Sequence, residues 1–179
     1  MIKPYDYASR KGIRSISWED FASLAACLAE KLEPFCPDMI LGIARAGLFP
    51  ATAVACSLRR ELFPVSLTRR VNDRVVREQP IWKVPIPPDV EGRNVAIIDE
   101  ITDSGETLAM ASRRAMELGA LRVVTAALVS HSWANPAPQL IALVSDELVI
   151  FPWDQKVLVS GKWESHPEIA AAIKAQSGV

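Results

Sequence analysis

Three apolar runs in this chain carry almost no polar alternation: residues 39–44 (MILGIA), 94–99 (NVAIID) and 122–130 (RVVTAALVS). A strand with one wet face alternates apolar and polar residues, whereas a strand covered on both faces does not. Helix-like segments lie between the runs. Residues 17–32 begin with Ser17, a good N-cap, and place Phe21, Leu24, Ala25, Leu28 and Leu32 at helical spacing. Gly47 and Pro50 mark a turn, and residues 51–60 (ATAVACSLRR) read as a second helix. Residues 107–118 read as a third, with Leu108, Ala111, Ala115, Met116 and Leu118 on or near its inward face and Gly119 closing it. Residues 63–68, 140–145 and 147–151 add short strands, and 166–176 a last helix with Pro167 in its first turn. Strands that alternate with helices predict an α/β fold: a parallel central sheet flanked by helices, with right-handed crossovers. Ligands of such sheets bind beyond the carboxyl ends of the strands.

The length of 179 residues suits one domain able to bury a core without staples. The net charge of -1 gives no argument for nucleic acid or an anionic membrane as partner. Three cysteines, an odd number without framework spacing, argue against a disulfide scaffold, and two of them read as small core residues. His131 and His166 have no second His or Cys at ligand spacing, so a structural zinc is not expected. The first residues lack the apolar centre of a signal peptide, and the apolar runs are too short to span a bilayer. The expectation is a cytoplasmic protein. Residues 69–93 are harder to read: a basic, proline-rich excursion, in part a β-hairpin. A loop this long inside a compact domain is often functional.

The densest chemistry lies at 94–111 (NVAIIDEITDSGETLAMA), where a buried strand hands over to a helix. A helix start offers free N–H groups and partial positive charge, which suit phosphate. Gly105 lets the backbone approach closely, and Thr102, Ser104 and Thr107 add hydroxyls. No lysine follows the glycine, so this is not a Walker loop. Asp99 and Glu100 precede the turn and can accept from vicinal sugar hydroxyls or hold Mg²⁺ through water. The parts fit a ribose 5-phosphate; the same residues would also serve as solvated acids and an ordinary helix cap.

Residues 95–107 (VAIIDEITDSGET) resemble the phosphoribosyl pyrophosphate (PRPP) motif of the type I phosphoribosyltransferases: four apolar residues, two acids, two variable residues, then D-[ST]-G-x-T. Residues 40–55 (ILGIARAGLFPATAVA) are similar to that family's pyrophosphate loop. The resemblance implies the family's Rossmann-like fold, with a core over about 39–129 and a small hood made by the N-terminal segment and about 130–165. It implies transfer of 5-phosphoribosyl from PRPP to a nitrogenous base, with release of pyrophosphate and a requirement for Mg²⁺. Asp99 and Glu100 would take ribose and metal, with Asp154 as a further metal ligand. Thr102, Asp103, Ser104, Gly105, Glu106 and Thr107 would bind the 5-phosphate. Ala44, Arg45, Ala46 and Gly47, with a cis peptide before Arg45, would bind pyrophosphate together with Arg69 and Arg70 of a closing loop. Asp103 would exchange the proton of the attacking nitrogen.

Residues 129–154 resemble the hood of the xanthine–guanine and hypoxanthine–guanine enzymes, so purine bases and nucleotides are the implied ligands. Ser130 and His131 stand where those enzymes place a lysine against the purine 6-oxo group, and Leu148 where they stack an aromatic ring. Trp133 or Trp153 could replace that ring. Relatives are commonly homodimers or homotetramers. Two other readings stay open: a non-catalytic sensor of PRPP or nucleotides on the same fold, and a Mg²⁺-dependent hydrolase built on the acid cluster.

Overall fold

In the computed structural model, which describes residues 12–68, 70–71, 74–75 and 81–177, the three apolar runs are neighbouring strands of one sheet. β1 (Ile13–Ser15) leads into α1 (Trp18–Leu32). The Ser17 hydroxyl accepts from the Asp20 N–H, and the Asp20 carboxylate accepts from the Ser17 N–H, each at 3.0 Å. This reciprocal cap satisfies two donors that the first helical turn would otherwise strand. β2 (Met39–Ile43) and α2 (Leu48–Leu58) follow. α2 starts earlier than residue 51 because Pro50 falls in its first turn, where a missing N–H loses no helical bond.

β3 (Glu61–Thr68), two short pieces β4 (Arg70–Val71) and β5 (Arg74–Val75), and β6 (Ile81–Val84) come next. The excursion is thus partly strand: β4 pairs with β5, and β6 returns antiparallel to β3. Then come β7 (Asn94–Thr102), α3 (Glu106–Glu117), β8 (Arg122–Ser130), β9 (Leu140–Val144) and β10 (Leu148–Ile150). β11 (Lys156–Val159), β12 (Lys162–Ser165) and α4 (Pro167–Ser177) complete the described chain.

The main sheet has the order β6-β3-β2-β7-β8-β9, and β6 is its antiparallel strand. From β2 the chain first adds β3 on one side, then β7, β8 and β9 on the other. The connections therefore diverge between β2 and β7, and a crevice opens beyond their carboxyl ends.

Alternation along β2 divides the core. Met39, Leu41 and Ile43 join Val95, Ile97 and the α3 residues Leu108, Ala111 and Ala115 on one face. Ile40 joins Ile98, Val124 and residues of α1 and α2 on the other. Each fully buried aliphatic side chain contributes roughly 1.5–3 kcal/mol relative to exposure. Every residue of β2 is buried, which explains the absence of polar alternation there.

Several sequence expectations change. Met116 is 49% exposed and not inward, since α3 turns it away from the sheet. Cys36 and Cys56 are exposed and Cys27 is partly buried, so no cysteine is a core residue. β10 leaves the main sheet and pairs in parallel with β1. Among the described residues no helix is long and apolar enough to cross a membrane.

Candidate active site

β7 does not end at Asp99; it runs to Thr102 because β8 supplies partners as far as Ser130. The acid pair therefore sits inside the strand end, held by the ladder. The Asp99 Oδ1 accepts from the Glu100 N–H at 2.9 Å. Burial pushes the Asp99 carboxyl above its ordinary range. Burial pushes Glu100 up further, and the adjacent Asp99 charge, a hydrogen bond with Asp99 and the Asp154 charge add to it. Asp154, distant in sequence, thus acts on the same acid pair.

That pair carries a stability cost. A carboxyl raised in the folded state takes up more protons when folded, so stability falls as pH rises from the unfolded pKa through the folded one. Glu100→Gln removes the charge and nearly keeps the shape. In chelator at about pH 8, the variant should melt a few degrees above the parent chain, since ~1 kcal/mol moves a domain of this size by roughly 2–4 °C. As pH falls toward and below the ordinary glutamate value, where the parent residue becomes protonated in both states, the gap should narrow and then close. A variant that melts lower throughout this range would contradict this account of the pair.

After Thr102 the chain turns through Asp103–Ser104 into α3. Gly105 stands at the N-cap with φ 88° and ψ -13°. The helix start has no side-chain cap bond. The Glu106 N–H reaches the Ser104 hydroxyl only at 3.4 Å. Thr102 is buried, and its Oγ1 has no hydrogen-bond partner among the described residues. Uncapped N–H groups beside a buried hydroxyl suit an oxyanion.

A second turn lies against the acid pair. β2 ends at Ile43, residues 44–47 form a turn, and α2 begins at Leu48. The Ala44–Arg45 peptide is cis, as the resemblance implied. A Cβ on Gly47 would stand 2.5 Å from the Ile43 carbonyl oxygen and 2.8 Å from Asp99 Oδ1. Glycine is thus required for the turn at 44–47 to approach the acid pair, although its φ of -61° is ordinary. Ala44 and Ala46 are partly buried and Arg45 is exposed. Arg69 lies outside the described residues, and Arg70 is placed by its backbone in β4 alone.

The expected base contacts are redistributed. Leu148 is 2% exposed and packs with Ile150, Ala172 and Ile169, because residues 148 and 150 share one face of β10. It cannot stack on a ligand from there. Ser130 and His131 are 1% and 2% exposed. The Ser130 hydroxyl donates to the His131 carbonyl at 3.2 Å, and His131 Nδ1 lies 2.6 Å from the Ser145 carbonyl. Trp153 is held in an aromatic cluster: Phe49 stacks on it at 4.1 Å, Phe151 at 4.8 Å, and Phe21 meets it edge-on at 5.4 Å.

A contact that sequence reasoning did not find lies over the turn at 103–105. The Trp133 indole N–H donates to Asp103 Oδ1 at 3.1 Å. The Asn135 N–H donates to the Ser104 carbonyl at 3.1 Å, and the Pro136 carbonyl crowds Gly105. An Asn-Pro pair is a local turn signal, but where such a turn docks depends on the path of the chain.

Two turns at diverging strand ends, with the acid pair beside them, form the candidate site. The phosphoribosyl transferase domain model matches residues 17–159, and the chain belongs to that family. The purine phosphoribosyltransferase of Pyrococcus horikoshii Ot3 is 26% identical, covering 84% of this chain and 99% of that one, with a TM-score of 0.74. The Helicobacter pylori xanthine–guanine–hypoxanthine phosphoribosyltransferase is 17% identical (79% and 91% covered, TM-score 0.66). A hypothetical protein from Neisseria gonorrhoeae with bound ppGpp is 20% identical (94% and 97% covered, TM-score 0.66). No curated protein matches the chain significantly.

Proposed function

We propose that this protein transfers the 5-phosphoribosyl group of PRPP to a ring nitrogen of a purine base and releases pyrophosphate. The observation that carries this reading is the close approach of the first turn to the acid pair: Gly47 packs on Asp99 within β7, three residues before that strand ends and leads through Asp103–Ser104 into α3. The α3 turn would bind the 5-phosphate, the acid pair the ribose hydroxyls, and residues 44–47 the pyrophosphate. Purine as the base is supported by the hood's resemblance and by the similarity to the Pyrococcus purine phosphoribosyltransferase.

In the reaction the C1–O bond to pyrophosphate breaks as a bond from C1 to the base nitrogen forms. The proton on that nitrogen passes to Asp103, which stands at the mouth of the phosphate turn. Positive charge developing on the sugar ring is offset by the acid pair, and charge on the leaving group by Arg45. Among the described residues no three His, Cys, Asp or Glu side chains enclose a metal site. Two crowded, repelling carboxyls still fit Mg²⁺, which keeps several waters and takes its remaining ligands from substrate oxygens. Asp99 and Glu100, with Asp154 nearby, would hold it. When bound, the ion would neutralise the departing pyrophosphate.

A second reading, a sensor of PRPP or nucleotides, is favoured by one observation: both residues at the place of the family's lysine are buried. A screen of adenine, hypoxanthine, guanine and xanthine with PRPP and Mg²⁺, read as pyrophosphate release, separates the two. We expect turnover with at least one base, and none in excess chelator. PRPP binding without pyrophosphate release from any base would leave the sensor; no PRPP binding would end the transferase reading and leave at most a nucleotide sensor.

A further inference from the structure

We propose that Trp133 is a positioning residue for Asp103 and supplies the base-dependent part of ligand affinity at this site. The inference rests on the reading of the site as a nucleotide site, and its test does not require turnover.

The segment after β8 is pinned along its length. The His131 N–H donates to the Thr102 carbonyl at 3.0 Å, tying the segment to the end of β7. The Ser132 N–H and hydroxyl both donate to the Asp146 carboxylate, at 2.8 and 2.7 Å. The Ala134 N–H returns to the His131 carbonyl at 3.2 Å, and the Asn135 N–H reaches the Ser104 carbonyl at 3.1 Å. Between these ties the Trp133 ring lies on the buried His131 ring, with centroids 4.5 Å apart and planes within 13°. His131 is itself fixed by the 2.6 Å contact of its Nδ1 with the Ser145 carbonyl. A side chain backed in this way has few orientations left, so its indole N–H is aimed and not merely near.

The target of that aim is Asp103. A carboxylate offers about four lone-pair sites, so one indole bond sets the plane of the group without using up its capacity. An acid that must meet a hydrogen-bonding edge of the base, in free base or nucleotide, gains from this, because its productive orientation is chosen before the ligand arrives. Trp133 is 49% exposed while so anchored, so part of its surface stays open beside the turn at 103–105. Leu148, Ser130 and His131 have been withdrawn into the core, so Trp133 is the aromatic residue that the fold places against Asp103.

The test is calorimetry with ribose 5-phosphate and with the adenosine, inosine, guanosine and xanthosine 5′-monophosphates. The proteins are the full chain, Trp133→Phe, Asp103→Ala and the double variant. Phenylalanine keeps a ring on His131 and removes the N–H donor. In the parent chain the best nucleotide should bind tighter than ribose 5-phosphate. Trp133→Phe should lower that preference about tenfold, the scale of a hydrogen bond to a charged group, with ribose 5-phosphate affinity within about twofold. In the Asp103→Ala background the same substitution should have almost no further effect, since coupled residues are not additive. Trp163→Phe, on the exposed face of β12, should change neither affinity.

The proposal is overturned if the parent chain shows no preference for a nucleotide, or if Trp133→Phe keeps it. It is overturned too if ribose 5-phosphate weakens by the same factor, if the two substitutions multiply independently, or if Trp133→Phe melts more than about 5 °C below the parent, which would make Trp133 a packing residue. A chain that binds nucleotides through Trp133 yet never releases pyrophosphate would end the transferase reading and leave this one standing.

Discussion

Gly105→Ala should reduce PRPP affinity by about a hundredfold or more. Residue 105 has φ 88°, a conformation that costs an L-residue roughly 1–2 kcal/mol. Dihedral cost is the smaller part. A Cβ there would collide with the Pro136 carbonyl, which is backbone and cannot rotate away as a side-chain tip could. The turn at residues 103–105 or the segment at 135–136 must therefore move, and either movement misdirects the N–H groups at the start of α3. Since 1.4 kcal/mol is tenfold, a loss of ~3 kcal/mol gives about two decades. Gly92→Ala is the matching control: φ is 71°, but nothing lies within 4 Å of its Cβ, so only the dihedral cost remains. PRPP calorimetry on both variants, with melting curves, decides the matter. If Gly105→Ala binds PRPP as well as Gly92→Ala does, the α3 turn is not the phosphate cradle.

Asp103→Asn should lower pyrophosphate release about 10²-fold or more, the usual worth of a positioned proton-transfer group. Asparagine keeps the outline of the side chain, and its carbonyl oxygen can still accept from the Trp133 indole, so the turn retains its shape. PRPP affinity should therefore stay within a few-fold while the maximal rate falls. Steady-state kinetics with PRPP and the preferred base, beside PRPP calorimetry, measures the two effects separately. Equal loss in both would make Asp103 a phosphate-turn residue and nothing more. An unchanged rate would remove its proton-transfer role.

The strand–turn–helix unit at 94–117 could be read almost completely because its signals are local. Apolar residues without alternation mark a strand buried on both faces, and Gly105 marks a left-handed turn that few other residues tolerate. The capping box at Ser17 and Asp20 is local in the same way. Boundaries were less legible where pairing set them. β7 outlasts its acids because β8 keeps offering partners, a fact of the neighbouring strand and not of residues 99–102.

The hood region shows the opposite case. Leu148, Ser130 and His131 stand at positions that the family uses for the base, yet the fold buries all three. β10 pairs with β1, and that pairing chooses which face of Leu148–Ile150 meets α4. A one-residue change of register would turn Leu148 the other way. Trp153 was open between ligand and core, and the surrounding Phe21, Phe49 and Phe151 assign it to packing.

By itself, the sequence determined the parallel sheet, the two turns and the acid pair between them, because each follows from residue type and spacing within a single strand–turn–helix unit. Only the tertiary structure decided which side chains surround Asp103. The indole of Trp133 reaches that carboxylate because residues 131–136 are tied back over the α3 turn, through bonds between segments some thirty residues apart in the chain. Contacts of that range depend on how the elements pack, and no local periodicity encodes them.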